Sequence, residues 1–186
     1  SNFEIEEINP EILKQLKIDE LLSFKNLIKQ INISSKVNLN SKKLNRKSVE
    51  NFKLKFDLAY GRLNYFKNFS HTDDNFKCIG NLNLLDEYPV LFFDCLINSK
   101  NKRNLLKKFN IRTKGEKKSF FIKAKGKLNI LNKKINFEEI SMNEKYNASK
   151  EDLIFFKEKF ENILLSENFV EIFNLKKLKR FILEIS

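Results

Sequence analysis

The chain has 186 residues, of which 41% are apolar and 12% are aromatic. This length corresponds to one domain with enough apolar material for a buried core, so a disordered or collagen-like chain is excluded. The most apolar stretch, 90–97, is short and contains Asp94, so no segment has the ~18 uninterrupted apolar residues of a membrane-spanning helix. Because residue 1 is Ser and no signal-peptide pattern follows it, we expect the chain to be part of a longer protein.

The formal net charge of +12 comes from one segment. Fourteen basic residues and one acid, Glu116, lie between Lys100 and Lys134, whereas the rest of the chain sums to −1. A local cationic surplus of this kind is typical of a surface that binds lipid head groups, phosphates or an acidic partner. A solvated lysine face without a ligand is the alternative, which the general richness in Lys and Asn favours.

The first part of the chain contains a helical pattern followed by two strand patterns. An Asn-Pro pair precedes apolar residues at helical spacing, which predicts a helix over 10–29. Alternating apolar and polar residues then predict strands at 31–39 and 52–60. The alternation changes phase at Gly61, which indicates a bulge or a tight bend.

Two apolar segments, 76–85 and 90–98, predict a β-hairpin that turns at 86–88. This pairing places Cys78 opposite Cys95 on the same face of the sheet. A cross-strand disulfide in an oxidising compartment is compatible with the pairing. Two free cysteines that serve as small apolar side chains are the favoured alternative.

The second half of the chain begins with a predicted short helix over 101–109. Strands are predicted at 120–130 and 135–142, and in the first of them lysines alternate with apolar residues. One face of that strand is therefore apolar and the other is cationic. Ser149 and Asp152 form a capping box ahead of a helical pattern that continues towards the end of the chain.

These elements predict an α+β fold in which a curved antiparallel sheet of about six strands forms an open groove or half-barrel with helices at both ends. Residues 1–186 are expected to form a single domain. A helical lead-in occupies 1–30, the sheet region occupies 31–142, and C-terminal helices occupy 149–186.

Three segments share the pattern Gly-x-Leu-Asn-apolar, and they begin at Gly61, Gly80 and Gly126. Glycine within a strand permits bending, so the pattern favours a strongly twisted and curved sheet. Together with the alternating residues from Phe52 to Leu63, the pattern resembles the carboxy-terminal region of AsmA-like proteins, the group that includes TamB and YhdP. The resemblance covers roughly residues 10–142.

The resemblance implies a lipid-handling segment of a bacterial envelope protein that contributes to outer-membrane biogenesis. In that family the sheet curls into a groove with an apolar interior, through which phospholipids are thought to pass between the two membranes. The resemblance therefore implies a periplasmic location, a parent protein anchored in the inner membrane, and contacts with phospholipid acyl chains. The basic segment 100–134 suggests an anionic membrane surface as a further partner, and an envelope protein is another. The chain departs from the family in having fewer Gly and Asp, more Lys, and terminal helices that suit a cap.

Two sets of candidate binding residues follow from these patterns. Apolar residues at alternating strand positions are the candidate lipid-binding groove: Phe52, Leu54, Phe56, Leu58, Phe76, Leu82, Leu84, Ile122, Leu128 and Ile130. Lysines of the basic segment are the candidate anionic-surface residues: Lys107, Lys108, Lys123, Lys125 and Lys127.

We predict neither catalysis nor a cofactor. The only histidine, His71, falls on a predicted polar loop beside Asp73 and Asp74, where a third metal ligand is lacking, so no metal site is predicted. A nucleophile elbow and a glycine-rich phosphate loop are also absent from the sequence.

Two other functions are alternatives. A nucleic-acid binder would use the basic segment 100–134 with Phe109, Phe120 and Phe121 for stacking, but arginine is scarce and nucleic acid is not expected as a partner. A structural capping module would dock a partner through its terminal helices. Whether the helix at 175–184 packs on the sheet or stands free distinguishes that alternative.

Overall fold

A single open sheet forms the body of the protein in a computed structural model, which describes residues 2–3, 23–40, 51–71, 74–108, 111, 118–143, 145–166 and 175–185. Each strand pairs with the next one along the chain, so the spatial order of the strands is their sequence order. The strands are β1 Asn2–Phe3, β2 Asn32–Asn40, β3 Asn51–Ala59, β4 Arg62–His71, β5 Asp74–Asn83, β6 Val90–Ser99, β7 Phe120–Asn129, β8 Lys134–Met142 and β9 Tyr146–Asn147.

The described residues include four helices: α1 Lys25–Ile28, α2 Lys102–Lys108, α3 Lys150–Leu164 and α4 Leu175–Glu184. Most of the helix predicted over 10–29 lies outside the described residues, and α1 falls within its final part. The predicted capping box opens α3. Ser149 Oγ accepts a hydrogen bond from the Asp152 backbone N–H at 3.1 Å, and the Asp152 carboxylate accepts one from the Ser149 N–H at 3.0 Å.

The α+β class and the antiparallel sheet are confirmed, but the prediction of about six strands is too low. Strands β2 to β9 are antiparallel, and β1 adds a two-residue parallel pairing at the edge. Two of the additional strands, β1 and β9, have only two residues each. The other, β4, arises at Gly61, where the change of phase marks a complete turn between β3 and β4. Tyr60 and Gly61 have φ values of 49° and 84°, and positive φ at both central residues is typical of a tight hairpin turn.

The hairpin formed by β5 and β6 has the predicted register. Cys78 pairs with Cys95, and Leu82 pairs with Leu91. The Cα atoms of the two cysteines are 4.0 Å apart, and their sulfur atoms form a disulfide. The favoured prediction of two free cysteines is therefore wrong, because the strand pairing brings both sulfur atoms together on one face.

Strand pairing collects the apolar side chains on one side of the sheet, which we call the apolar face. Residues that pair across neighbouring strands point to the same side, so each step of the register forms a row of side chains. One row, the leucine row, consists of Leu58, Leu63, Leu82, Leu91, Leu128 and Ile135. Three of these leucines belong to the Gly-x-Leu-Asn pattern, so the three copies of the pattern lie in the same layer of the sheet.

The asparagines of two copies of the pattern end their strands. Asn83 Oδ1 accepts a hydrogen bond from the Leu85 backbone N–H at 3.2 Å. Asn129 Oδ1 accepts hydrogen bonds from the backbone N–H groups of Leu131 and Asn132, at 3.1 and 2.9 Å. Asparagine favours turns because its side chain bonds to the backbone two residues on, so these contacts explain the strand ends.

The buried core lies at the end of the apolar face that carries the leucine row. Ile28 of α1 and Leu165 after α3 pack there against buried residues of β5, β7 and β8. Edge-to-face ring contacts join the sheet to the helices, with centroid distances of 6.0 Å for Phe93–Phe137, 5.7 Å for Phe137–Phe160 and 5.5 Å for Phe160–Phe181. Because Phe181 belongs to α4, that helix packs on α3 and does not stand free.

Helix α3 also covers the outer edge of β8. Glu161 Oε1 accepts a hydrogen bond from the Ile135 backbone N–H at 3.0 Å, and Glu161 Oε2 accepts one from Lys134 Nζ at 2.8 Å. The Ala148 backbone N–H donates to the Ile140 carbonyl oxygen at 2.9 Å. Exposed strand edges can pair with other chains, so these contacts protect the last long strand from edge-to-edge association.

Candidate functional site

The apolar face has a buried part and a partly exposed part, and the candidate groove residues fall in both. Four of them are closed in the core, with exposed fractions of 8% for Leu82, 6% for Leu84, 4% for Leu128 and 6% for Ile130. Leu84 and Ile130 lie in turns that follow β5 and β7. The lipid-contact prediction is corrected for these four residues, because a side chain packed in the core is not available to an acyl chain.

The partly exposed part contains Leu54, Phe56, Phe76, Ile97 and Ile122, which we call the half-exposed patch. Phe76 pairs with Ile97, and Ile97 pairs with Ile122, so the patch is continuous across β5, β6 and β7. Four of its members were among the predicted groove residues.

Two candidate groove residues belong to neither group. Leu58 packs against the edge of the core. Phe52 pairs with Phe69 in the register of β3 and β4, and its side chain lies outside the described residues.

Lys67 lies within the apolar face, although it is absent from the residues predicted from the sequence. It pairs with Leu54 of β3 and with Cys78 of β5. Its Nζ atom is 5.8 Å from the centroid of the Phe76 ring. Burial lowers the pKa of Lys67, because desolvation disfavours the ammonium. The sequence contains one signal that could have identified Lys67. It is a lysine at a position of β4 where the alternating pattern calls for an apolar residue.

Tyr65 precedes Lys67 by two residues and lies on the same face. Its hydroxyl oxygen is 3.7 Å from Cys78 Sγ, and burial raises the pKa of Tyr65 to about 12. The Tyr65 ring also lies over Gly80, where a Cβ atom would come within 2.6 Å of it. The half-exposed patch is therefore bordered by one cation, one hydroxyl group and one disulfide, which belong to Lys67, Tyr65 and the Cys78–Cys95 pair.

Ion pairs offset part of the predicted cationic face of β7. Lys123 Nζ lies 2.9 Å from the Glu139 carboxylate, and Lys127 Nζ lies 2.7 Å from the Glu138 carboxylate. The hydrogen bond with Glu139 raises the pKa of Lys123, and the hydrogen bond from Lys127 lowers the pKa of Glu138. These acids come from β8, so the neutralising charges are distant from the lysines in sequence.

The other candidate anionic-surface lysines are arranged differently. Lys125 pairs in register with Asp94 of β6 and with Glu139 of β8. Lys107 is exposed on α2, and the side chain of Lys108 lies outside the described residues. The structure thus does not bring the five predicted lysines together as one uncompensated cationic surface.

The face opposite the apolar face also carries exposed apolar residues. Ile79 and Phe92 are 43% and 41% exposed. Lys127 Nζ lies 5.4 Å from the centroid of the Phe92 ring. A shallow cavity of 340 Å³ lies beside them, with Asp94 and Lys125 in its wall. This face is a mixture of charged and apolar groups, in contrast to the apolar face.

The polar loop predicted around His71 is largely strand. β4 extends to His71, which pairs with Asp74 at the start of β5. The side chain of His71 and the whole of Asp73 lie outside the described residues. Within the described ranges, no helix combines the length and the apolar character that a membrane span requires.

Comparison with family models, curated proteins and solved structures returned no match for this chain.

Proposed function

We propose that this chain is a non-catalytic lipid-handling domain of a bacterial envelope protein, and that it holds phospholipid acyl chains against the half-exposed patch. The observation that carries the proposal is the patch itself, in which Phe76, Ile97 and Ile122 are partly exposed neighbours across three strands, and Leu54 and Phe56 lie on the same face of β3. Burying apolar surface is favourable by about 25 cal/mol per Å², so an acyl chain laid over the patch would gain binding free energy. Large contiguous apolar patches on a protein surface mark binding sites.

The topology supports the same proposal. The strand order runs from β1 to β9, and the first and last strands do not pair, so the sheet is open. An open sheet leaves room for a long ligand to enter from the side, whereas a small closed barrel is filled by its own side chains. A curved sheet and membership of the AsmA-like group are part of this proposal, and they rest on the sequence resemblance.

The disulfide supports the proposed periplasmic location. Disulfides form and persist in oxidising compartments, of which the bacterial periplasm is one. Cys78 and Cys95 are joined beside the patch. The anchor of the parent protein in the inner membrane remains a proposal drawn from the resemblance.

Uptake of fluorescent phosphatidylcholine tests the proposal. We expect the purified protein to bind this zwitterionic lipid, which has no net charge. We expect Ile122→Gln, within the patch, to reduce binding by about tenfold because it places a polar amide where the acyl chain would lie. Ile79→Gln is the matched control, because Ile79 is an exposed isoleucine on the opposite face. Urea unfolding of each variant establishes that it is folded under the binding conditions.

Failure of the wild-type protein to bind phosphatidylcholine would contradict the proposal. Equal losses of binding in the two folded variants would also contradict it, because the patch would then have no special role.

A further inference from the structure

We propose that α4 docks this domain on an anionic phospholipid bilayer, with the outward-facing basic residues of the helix on the lipid head groups and Leu183 inserted beneath them. This inference concerns a different surface from the half-exposed patch and names a membrane as the partner. It rests on the proposed lipid-handling function only for the expectation that the anionic partner is a membrane.

One side of α4 is held against α3. Residues spaced three or four apart lie on the same side of a helix, and Lys177, Phe181 and Glu184 follow that spacing. Lys177 Nζ donates a hydrogen bond to Ser166 Oγ at 3.2 Å. The Phe181 ring packs on α3, and the Glu184 carboxylate lies 2.7 Å from Lys159 Nζ. These contacts fix the orientation of α4 about its axis.

The other side of α4 points away from α3 and is basic. Its members repeat at the same helical spacing and form what we call the α4 surface: Lys176, Lys179, Arg180 and Leu183. All of them are exposed except Lys179, which is half-buried, and the exposed fraction of Leu183 is 53%. Three positive charges therefore surround one exposed leucine.

The charge of α4 is complementary to an anionic bilayer. The helix contains four basic residues and one acid, Glu184, and that acid is compensated by Lys159 of α3. An anionic membrane attracts basic residues held near its surface, and each of them strengthens binding by about fivefold. On β7, by contrast, acids of β8 pair with Lys123 and Lys127. The surplus on α4 is therefore better placed for a membrane than the lysines of β7.

Leu183 favours a membrane over a soluble acidic partner. Interfacial helices bind anionic bilayers through basic side chains at the head groups and apolar side chains inserted at the acyl boundary. Leu183 combines both features, because the basic residues of the α4 surface lie one or two turns before it. Ile154 of α3 is similarly exposed, at 57%, but two acids, Glu151 and Glu158, and two lysines lie one turn from it. Only the leucine lies among charges of one sign.

Co-sedimentation with vesicles tests the charge of the partner. We expect the wild-type protein to bind vesicles of phosphatidylglycerol and phosphatidylcholine in equal amounts at least about tenfold more tightly than vesicles of phosphatidylcholine alone, and added salt should weaken the difference. Lys179→Gln/Arg180→Gln should reduce binding to the anionic vesicles by at least about tenfold. Lys53→Gln/Lys55→Gln is the matched control, because it removes the same charge from two exposed positions of β3.

A second pair of variants tests insertion into the bilayer. Leu183→Gln should weaken binding to the anionic vesicles by about fivefold, because a polar amide does not enter the acyl boundary. Ile154→Gln is the matched control and should bind like the wild type. Urea unfolding of each variant establishes that it is folded under the binding conditions.

Several outcomes would overturn the inference. Equal binding to both kinds of vesicle would do so, as would equal losses in the two double variants. If Leu183→Gln bound like the wild type, the α4 surface would be suited to a soluble acidic partner and not to a membrane.

The same measurements separate this inference from the proposed function. Uptake of fluorescent phosphatidylcholine without binding to anionic vesicles overturns the membrane-docking role alone. Vesicle binding without such uptake overturns the proposed function alone. Ile122→Gln, within the half-exposed patch, should bind anionic vesicles like the wild type.

Discussion

At the scale of single residues, two glycines allow the aromatic rings of the apolar face to approach the sheet. Gly80 and Gly126 flank Phe93 in one row. A Cβ atom at Gly80 would collide with the carbonyl oxygen of Phe92 and with the Tyr65 ring. The absence of a side chain at this position is thus a steric requirement of the surrounding backbone and ring.

Gly80→Ala is therefore expected to lower the free energy of unfolding by about 1–3 kcal/mol, the usual cost of inserting an atom into a packed region. Urea unfolding measures the change. Asn75→Gln, which also adds one methylene group but at an exposed position of β5, should change stability by less than about 0.5 kcal/mol. A Gly80→Ala protein as stable as the wild type would mean that the strands separate easily at this point.

Tyr65 should make stability sensitive to alkaline pH. Burial raises its pKa from 10.0 to about 12, so the folded protein keeps a proton that the unfolded chain loses. The stabilising contribution is complete below pH 10 and is lost as the pH rises through about 12. Urea unfolding across this range should show a smaller alkaline loss in Tyr65→Phe, and Tyr60→Phe, at a position that is 66% exposed, is the matched control. Identical pH profiles for wild type and Tyr65→Phe would contradict the prediction.

At the scale of secondary-structure elements, the β5–β6 hairpin is held by its ladder and by a covalent bond. The disulfide closes a loop with a sequence separation of 17 residues. A cross-link of this length restricts the unfolded chain and typically stabilises the folded state by about 3 kcal/mol.

Reduction is expected to lower the free energy of unfolding by about 2–4 kcal/mol. The measurement is urea unfolding with and without a thiol-free reductant. The double variant Cys78→Ala/Cys95→Ala is the control, and the reductant should not affect it. If the wild-type protein were equally stable in both conditions, the two thiols would not be joined in solution.

Glu161 is expected to protect the outer edge of β8 from pairing with another chain. Glu161→Ala removes the acceptor for the Ile135 N–H and the partner of Lys134. We expect a stability loss of about 1–3 kcal/mol and association that increases with protein concentration, because the uncovered edge can pair with another chain. Sedimentation velocity measures the association. Glu158→Ala, at an exposed site on the same helix, should remain like the wild type, and a monomeric Glu161→Ala protein would contradict the edge-protection role.

At the scale of the whole molecule, the helices stabilise the sheet unevenly. Ile28 and Leu165 pack at the leucine row, and the ring contacts to Phe160 and Phe181 extend the core in the same region. The half-exposed patch lies in other rows of the apolar face. Regions with fewer buried contacts open more readily than the core.

Hydrogen exchange should reveal this asymmetry. Hydrogen-bonded amides at the leucine row are expected to exchange more slowly than those beside the patch, and phosphatidylcholine should slow exchange beside the patch while leaving the leucine row unchanged. Exchange measured by NMR, with and without the lipid, tests both statements. Uniform protection along β5 and β7 would contradict the expected asymmetry, and lipid protection at the leucine row would place the ligand elsewhere.

The local sequence was sufficient to predict several elements. Alternation follows from the two-residue period of strands, so it identified β2, β3, β7 and β8, and the capping box identified the start of α3. The register of the β5–β6 hairpin followed from the position of its turn. Lys67 could have been noticed as a lysine in an apolar series, but alternation alone does not show that its side chain is desolvated on the apolar face.

Only the tertiary structure decided which apolar residues are core and which are available to a ligand. Leu82 and Ile122 occupy equivalent alternating positions, yet only Leu82 is covered by Ile28 and Leu165, which are distant in sequence. The ion pairs of Lys123 and Lys127 with acids of β8 likewise depend on strand pairing. The sequence by itself determined the period, the turns and the caps, because these are local properties of the backbone. Burial and charge compensation depend on contacts between distant segments, so they emerged only with the packing of the helices and strands.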